Sequence, residues 1–284
     1  MTEKNDTLME LAGVSFAYPD SEKGLKNISV KLGKGERIAV LGNNGAGKST
    51  FFLLCNGILK PYEGKILYEG QGVTGKRSDL VNLRKNVGVV FQDAENQIIA
   101  STVEGEVSFG PMNLRLEKQE VCRRVEKALE EMDLHGYRHR PPQYLSGGEK
   151  KRVSIADILA MEPKIILFDE PTASLDPQNV ALLEDTLEKL SSEGITLVVS
   201  THDVDFAYRF ASRGIVFSGG EILLDTEIDK VFSDTAVLEK SGLCKPLIYE
   251  MSQLIREKTG GNSQLPLPKT IKEMEAFLSE SIKL

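Results

Sequence analysis

The chain has 284 residues, 40% of them hydrophobic and 27% charged, and a formal net charge of −7 at pH 7. That length holds one large α/β domain and a small second unit, in a composition ordinary for a soluble globular protein. The acidic balance disfavours a broad nucleic-acid footprint, and no stretch approaches the roughly 18 apolar residues of a membrane-spanning helix. The start, Met1-Thr-Glu-Lys-Asn-Asp6, is polar and lacks a signal-peptide core. Cys55, Cys122 and Cys244 fit no C-x-x-C spacing and read as free thiols of a reducing cytosol.

In chain order, residues 8–18 and 25–32 read as paired strands, with Gly33-Lys-Gly-Glu36 as the turn into a short apolar strand, Arg37–Leu41. Thr50–Cys55 reads as a helix. A hairpin follows around Gly64–Tyr68 and Gly70, then another apolar run, Val87–Phe91, ending at Gln92-Asp93. From about residue 104 to 161 the period turns helical, with Val121, Val125, Ala128, Leu129 and Met132 on one face. Lys164–Asp169 and Thr196–Ser200 are strands apolar on both faces, as central parallel strands are. A strand pair follows around Ile215–Phe217 and Glu221–Leu224. Two amphipathic helices close the chain, one carrying Ile248, Met251, Leu254 and Ile255, the other Ile271, Met274, Phe277 and Leu278. These faces have two readings, packing on their own chain or a dimer contact.

Three segments carry chemistry. Gly42, Asn43, Asn44, Gly45, Ala46, Gly47, Lys48, Ser49 and Thr50 satisfy the phosphate-loop pattern G-x-x-x-x-G-K-[ST], between an apolar strand and a helix. The loop's backbone N–H groups and the positive helix end face phosphates, Lys48 reaches the β and γ phosphates, and Ser49 offers its hydroxyl to Mg²⁺. Asp169 and Glu170 close a buried strand, where one acid can hold that Mg²⁺ and its neighbour can position a water. Leu145-Ser-Gly-Gly-Glu149 starts a second helix, with Ser146 as its cap and Gly147 and Gly148 exposing backbone N–H groups. His135 and His139 have a metal-like spacing, but Gly136 and Pro141-Pro142 end the helix near Leu134, so no metal site is expected there.

Together these segments resemble the ATP-binding subunits of ABC transporters, over roughly residues 7–235. Gly42–Thr50 matches the Walker A motif, Ile165–Glu170 Walker B and Leu145–Glu149 the signature. Gln92 stands at the Q-loop, Ser174-Leu-Asp176 at the D-loop, His202 at the switch histidine, and Tyr18 where an aromatic ring stacks on adenine. Glu149 departs from the usual Gln, which would alter contacts near the ribose and leave Ser146–Gly148 intact. Phe91–Gln97, Phe109–Leu114 and Arg140-Pro-Pro142 resemble the energy-coupling-factor importers, with the cobalt-type ATPases as the nearest likeness.

The resemblance implies a P-loop NTPase of α/β class: a mixed sheet core, a helical subdomain inserted at about 93–162, and a helical extension over 236–284. It implies ATP and Mg²⁺, the metal on Ser49, Gln92 and Asp169. Two cassettes pair head to tail, each ATP lying between Walker A of one and Ser146–Glu149 of the other. Glu170 would polarise water, His202 would contact the γ phosphate, Asp176 would signal across the dimer, and Gln92 would link metal and γ phosphate to the insertion. Partners would be a second cassette, an energy-coupling transmembrane subunit and a substrate-binding membrane subunit, at the cytoplasmic membrane face and without nucleic acid. The solute expected is a transition metal ion, cobalt, with nickel or a vitamin as the alternative. A soluble ABC ATPase acting on ribosomes or DNA is the competing reading. Between Gln92 and Pro111, Glu95, Glu104 and Glu106 are the acids expected to meet a basic helix of the membrane partner.

Overall fold

Strands and helices form where the apolar periods change, and the computed structural model describes residues 6–19, 24–93, 97–173, 175–259 and 265–281. β1 (Thr7–Ala17) pairs antiparallel with β2 (Gly24–Gly33) on one side and β4 (Glu63–Tyr68) on the other, with β5 (Gln71–Gly72) at the edge. A second sheet contains β3 (Arg37–Leu41), β6 (Val87–Val90), β7 (Ile165–Asp169), β8 (Thr196–Thr201), β9 (Arg213–Ser218) and β10 (Glu221–Glu227). Its order is β10-β9-β3-β8-β7-β6, parallel throughout except for β10 on β9. The core sheet is therefore mixed, as expected.

Every residue of β7 and β8 is buried, because both faces of the sheet are covered. Side chains alternate across a strand. Ile166, Phe168, Leu197 and Val199 enter the core beneath the helices, while Ile165, Leu167 and Val198 enter the core shared with the antiparallel sheet. α1 (Lys48–Cys55) fills that second core with Phe51, Phe52 and Leu54. Burial there pushes the Cys55 thiol above its ordinary range, so it stays protonated.

α2 (Arg77–Asn86) precedes β6 and has no counterpart in the sequence reading, because it buries Leu83 alone and carries no apolar stripe. Between β6 and β7 lie α3 (Val103–Asn113), α4 (Lys118–Glu131) and α5 (Gly147–Ala160). α4 buries Val125, Ala128 and Leu129, the face its period predicts, and ends at Glu131. His135 and His139 lie beyond it on separate acids, His135 at 3.3 Å from Glu126 and His139 at 3.6 Å from Glu104.

α6 (Pro177–Ser192), α7 (Val204–Phe210), α8 (Ile228–Ser233) and α9 (Thr235–Ser241) lead to α10 (Leu247–Thr259) and α11 (Ile271–Ser281). α11 buries Met274 and Phe277 as its pattern predicts. α10 is rotated away from the expected face: it buries Tyr249 and Ser252, leaving Met251 46% and Leu254 53% exposed. The cause is its anchorage. Leu247 N–H donates to Asp205 of α7 at 2.7 Å, and the Tyr249 ring meets Tyr208 edge-on at 5.6 Å, which together fix the helix's rotation. Among the described residues no helix is long and apolar enough to cross a membrane.

α2, α3 and α5 border an open groove of about 540 Å³, lined by Ile58, Val81, Phe109, Leu114, Ile158 and Met161. Asp157 stands in its wall, with Oδ1 sealed from solvent and without a hydrogen-bond partner. Burial, and secondarily the negative Glu106, pushes its carboxyl up to about 7. A carboxyl whose folded value is raised stabilises the fold fully below its unfolded value, and that contribution is lost as pH rises through the folded one. Asp157→Asn should therefore stabilise the chain more at pH 8 than at pH 5, by about 1–3 kcal/mol in denaturant titrations. An equal effect at both pH values would show that this carboxyl does not titrate in that window.

Candidate nucleotide site

The sheet order puts four chemical segments side by side. β3, β8, β7 and β6 are adjacent and parallel, so their carboxyl ends share one edge, where open α/β sheets bind ligands. β3 runs into the Gly42–Gly47 loop, β8 into His202, β7 into Asp169-Glu170, and β6 into Gln92. A cleft of about 180 Å³ opens there, lined by Tyr18, Gly24, Asn43, Asn44, Gly45, Ala46, Gly47, Lys48, Ser49, Thr50, Gln92, Asp169 and Glu170. Residues spread over more than half the sequence thus wall one space.

The loop needs glycine at its entry. Gly42 has φ 143°, and a Cβ there would sit 2.3 Å from the Phe217 carbonyl oxygen. α1 begins at Lys48 with Gly47 as its cap, which provides no side-chain acceptor, so the first-turn N–H groups remain available to an anion. Lys48 is buried; its Nζ donates to Gly42 O at 2.6 Å and Asn43 O at 3.4 Å, and lies 3.5 Å from Glu170 Oε1. Tyr18 follows the end of β1, its ring edge-on to Phe16 at 4.8 Å and its hydroxyl 3.2 Å from Thr50 Oγ1. That pairing ties the ring to α1 and holds it half-buried at the cleft wall.

Glu170 is under several constraints at once. Its φ is 45°, a left-handed conformation that non-glycine residues adopt only where the surroundings enforce it. Its N–H donates to Ser200 O at 3.0 Å, fixing the turn after β7 to the neighbouring β8. Its Oε2 lies 2.9 Å from His202 Nδ1, while Oε1 is buried and accepts no hydrogen bond. His202 thus enters the cleft through Glu170; its ring is 65% exposed and forms no part of the cleft wall. Asp169 accepts a hydrogen bond from the Ser200 hydroxyl. Ser200 was not among the residues singled out from sequence, since a serine closing an apolar strand carries no motif.

The oxygens assembled here suit a hard divalent cation. Ser49, Gln92, Asp169 and Glu170 bring a hydroxyl, an amide carbonyl and two carboxylates to the same cleft, and among the described residues no sulfur or imidazole lines it. The unsatisfied Glu170 Oε1 is a further acceptor in want of a donor or a water.

The second anion-type helix start lies outside the cleft. Ser146 caps α5, its Oγ accepting from Glu149 N–H at 3.3 Å while Glu149 Oε2 accepts from Ser146 N–H at 2.6 Å. None of Ser146, Gly147, Gly148 and Glu149 lines the cleft of its own chain. Glu149 closes a reciprocal capping box with Ser146, a role that Gln could also fill, so the departure leaves the shape of the turn intact. A hydrogen bond from the Tyr137 hydroxyl, then the Ser146 N–H, lowers its pKa. Asp176 caps α6, accepting from Asn179 N–H at 2.9 Å and from its side-chain amide at 2.8 Å, which lowers its pKa. Asn179 in turn abuts Gly148, where a Cβ would come within 2.4 Å of its Oδ1. Ser174 lies outside the described residues.

The acids expected to meet a partner are differently employed. Glu106 is buried, and its Oε2 accepts from Ile99 N–H at 2.9 Å and Ala100 N–H at 2.7 Å. It closes the loop before α3 and is not free for a basic helix. Glu104 pairs with Arg138 at 3.1 Å, and Glu95 lies outside the described residues. Among the described residues beside this segment, Asp157, which the sequence reading passed over, has a buried carboxylate oxygen without a hydrogen-bond partner. Lys151 was also missed: its Nζ donates to Phe91 O at 2.9 Å and Gln92 O at 3.1 Å. The signal was its spacing, for Lys151, Ile155 and Leu159 recur on one helical face, a lysine inside a buried stripe.

This site and fold define a P-loop nucleotide hydrolase with a helical insertion. The family model described as ABC transporter matches residues 25–173. The chain is 43% identical to the energy-coupling factor transporter ATP-binding protein EcfA of Methanocaldococcus jannaschii, over 88% of this chain and 90% of that one. It is 40% identical to EcfA of Methanococcus maripaludis, over 97% and 99% respectively. Among solved structures, CbiO1 of Clostridium perfringens, part of the ABC transporter complex CbiONQ, superposes with TM-score 0.74 at 37% identity, covering 88% of this chain and all of that one. A dimeric ATP-binding cassette in a post-hydrolysis state, bound to ADP and Pi, matches with TM-score 0.69 at 31% identity over 78% of this chain and 99% of that one. The chain belongs to the ATP-binding proteins of ABC transporters, within their energy-coupling-factor branch, and it is an ATPase.

Two substitutions separate the phosphate and base ends of the cleft. Lys48→Ala removes a charge-assisted contact and should weaken ATP binding by about 1.5–3 kcal/mol. Tyr18→Ala should weaken ATP and ADP equally, by about 1–3 kcal/mol of lost stacking. Calorimetric titration with both nucleotides checks this; unchanged affinity in Tyr18→Ala would remove the ring from the base site.

Proposed function

We propose that this chain hydrolyses MgATP to drive an energy-coupling-factor importer, taking up a transition metal ion, cobalt, through separate membrane subunits. The observation that carries the hydrolytic part is the buried Lys48–Glu170 pair at the cleft, with the exposed His202 ring on its outer side. Lys48, expected at the β and γ phosphates, also neutralises Glu170, which lets two opposite charges remain buried together. Glu170 holds Oε1 free of hydrogen bonds, an acceptor positioned to orient a water and take its proton. His202 braces the other carboxylate oxygen from the end of β8. Ser49, Asp169 and Gln92 would hold magnesium, which when bound neutralises charge on the phosphates. Tyr18 would stack on the base, and Ser146–Glu149 would reach the nucleotide of a second cassette, paired head to tail with Asp176 at the contact. Absence of these signature residues from their own chain's cleft supports that pairing.

For the membrane partner, the groove beside α2, α3 and α5 offers the best surface. It is open, and its apolar floor of Ile58, Val81, Phe109, Leu114, Ile158 and Met161 is rimmed by Arg84 and Lys85 as well as Asp157, which suits a short, mainly apolar helix of the partner. The peripheral association would place the chain at the cytoplasmic membrane face, with a substrate-binding membrane subunit selecting the solute. The likeness to CbiO1 of the CbiONQ complex supports cobalt. The exposed row Leu247, Met251 and Leu254 supports a dimer contact through residues 236–284, the cassette proper occupying 7–235 with its helical subdomain at about 93–162.

Glu170→Gln should keep ATP affinity while lowering phosphate release by about 10²–10⁴-fold, because the amide cannot accept the proton. Near-normal turnover would sink the assignment of Glu170. Phe109→Ser, in the groove, should abolish solute uptake by the assembled transporter while the purified chain binds ATP normally. Uptake assays with cobalt, nickel and vitamin substrates decide the solute, and uptake that survives Phe109→Ser would move the docking surface elsewhere.

A further inference from the structure

Lys151 is a buried ammonium whose environment gives it little help. It is 4% exposed, and among the described residues no carboxylate lies within ion-pairing distance of it. Its Nζ donates to two backbone carbonyls, Phe91 O and Gln92 O, in the segment that leaves β6 for the cleft. Burial lowers its pKa to about 8, against the longer-range pull of Asp169 and Asp93. A methionine would fill this space without the desolvation penalty, so packing alone gives no reason for a lysine.

The geometry around it gives such a reason. Lys151 belongs to the second turn of α5, and the first turn is Gly147-Gly-Glu149 with its cap Ser146. One end of that turn packs, at Gly148, against Asn179, whose side-chain amide donates to Asp176. The other is held through Lys151 to the backbone of Gln92, which lines the cleft of the same chain. A side-chain amide tie at Gln92 would be lost whenever that residue swings; a tie to its backbone carbonyl survives rotation of the Gln92 side chain.

We propose that Lys151 is a positioning residue that makes the Gln92 segment and the Ser146–Glu149 turn of one chain move together, so that the state of a chain's own cleft is relayed to the nucleotide its signature turn contacts on a second cassette. This rests on the head-to-tail pairing proposed above. The lysine acts through Gln92 and Ser146–Glu149 and touches no nucleotide. Its two carbonyl acceptors require an N–H donor, whereas the pull of α5 on the segment does not require a positive charge.

The full chain tests this with Lys151→Met and Lys151→Gln. Methionine keeps the volume and loses every donor; glutamine keeps an N–H donor one methylene closer to α5, which the 91–92 backbone meets by a small approach. Lys151→Met should retain ATP affinity within about twofold in the isolated chain, lose about tenfold or more in kcat at unchanged KM, and lose cooperativity in ATP. Lys151→Gln should recover most of the rate and the cooperativity. Normal kcat and cooperativity in Lys151→Met overturn the proposal, as does a Lys151→Gln protein as impaired as the Met variant at equal thermal stability. If Lys151→Met fails to fold, Lys151→Gln decides: wild-type cooperativity supports the relay, and its loss in a folded protein overturns it. The pairing itself is read separately, from the dependence of unmodified-chain ATPase rate on protein concentration. A strictly linear dependence with a Hill coefficient of one would sink the pairing and not the tie made by Lys151.

Discussion

Lys48 and Glu170 face one another across the cleft, both buried and 3.5 Å apart, at the ends of strands separated by β8 in the sheet. Burying either charge alone would be prohibitive; burying both is tolerable because each moderates the other and because Gly42 O and His202 supply hydrogen bonds at the outer ends. Everything else at the site is arranged around that balance. Ser200 is bonded to both Asp169 and the Glu170 backbone, which holds the two acids at the end of β7. The left-handed turn at Glu170 is the conformational strain that aims its carboxylate back towards Lys48. Under the proposed function, phosphate entering the cleft would take Lys48 as its own partner and release Glu170 from that ion pair.

The two helix starts differ in where they face. The loop that ends in α1 and the turn that starts α5 both expose helix N-termini, yet only the first opens into the cleft of its own chain. A helix start left unpaired in a folded domain is normally satisfied by solvent or a partner. Here Ser146 and Glu149 cap one another, so the turn keeps its shape without a ligand. That preorganisation suits a surface waiting for a nucleotide held elsewhere, and it explains why an acid at position 149 does not disturb the backbone that would face phosphate.

The parallel sheet connects this chemistry to the helical insertion mechanically. β6 ends at Val90, and within two residues the chain has reached both the cleft, through Gln92, and the buried Lys151 of α5. Beyond it, α3 presents Phe109 to the apolar groove. Through Lys151, the backbone beside the cleft is bonded to α5, the helix whose Asp157 and Ile158 stand in the groove wall. The buried acids in this region divide by hydrogen bonding: Glu106 is consumed in closing its own loop, and Asp157 is left with an oxygen unpaired.

The sequence by itself determined the class of the fold, the P-loop and the second and third motifs, because each is a local pattern: glycines at a strand–helix turn, acids after an apolar run, Ser-Gly-Gly before a helix. The unbroken apolar runs of β7 and β8 told that both sheet faces are covered, and the 3.6-residue period of α4 told which face is buried. Tertiary structure decided what local patterns do not encode. The strand order β3-β8-β7-β6 gathers Lys48, His202, Glu170 and Gln92 into a row, and no residue spacing along the chain states that order. The rotation of α10 followed Tyr249 onto Tyr208, a contact between distant residues that outweighs the helix's own apolar row. Whether Glu106 is a docking group or a loop clasp depended on which backbone N–H groups came within its reach. Lys151 read as one more basic residue until burial removed it from water and left two carbonyls as its partners, since the free energy of a charge is set by its surroundings and not by its position in the chain.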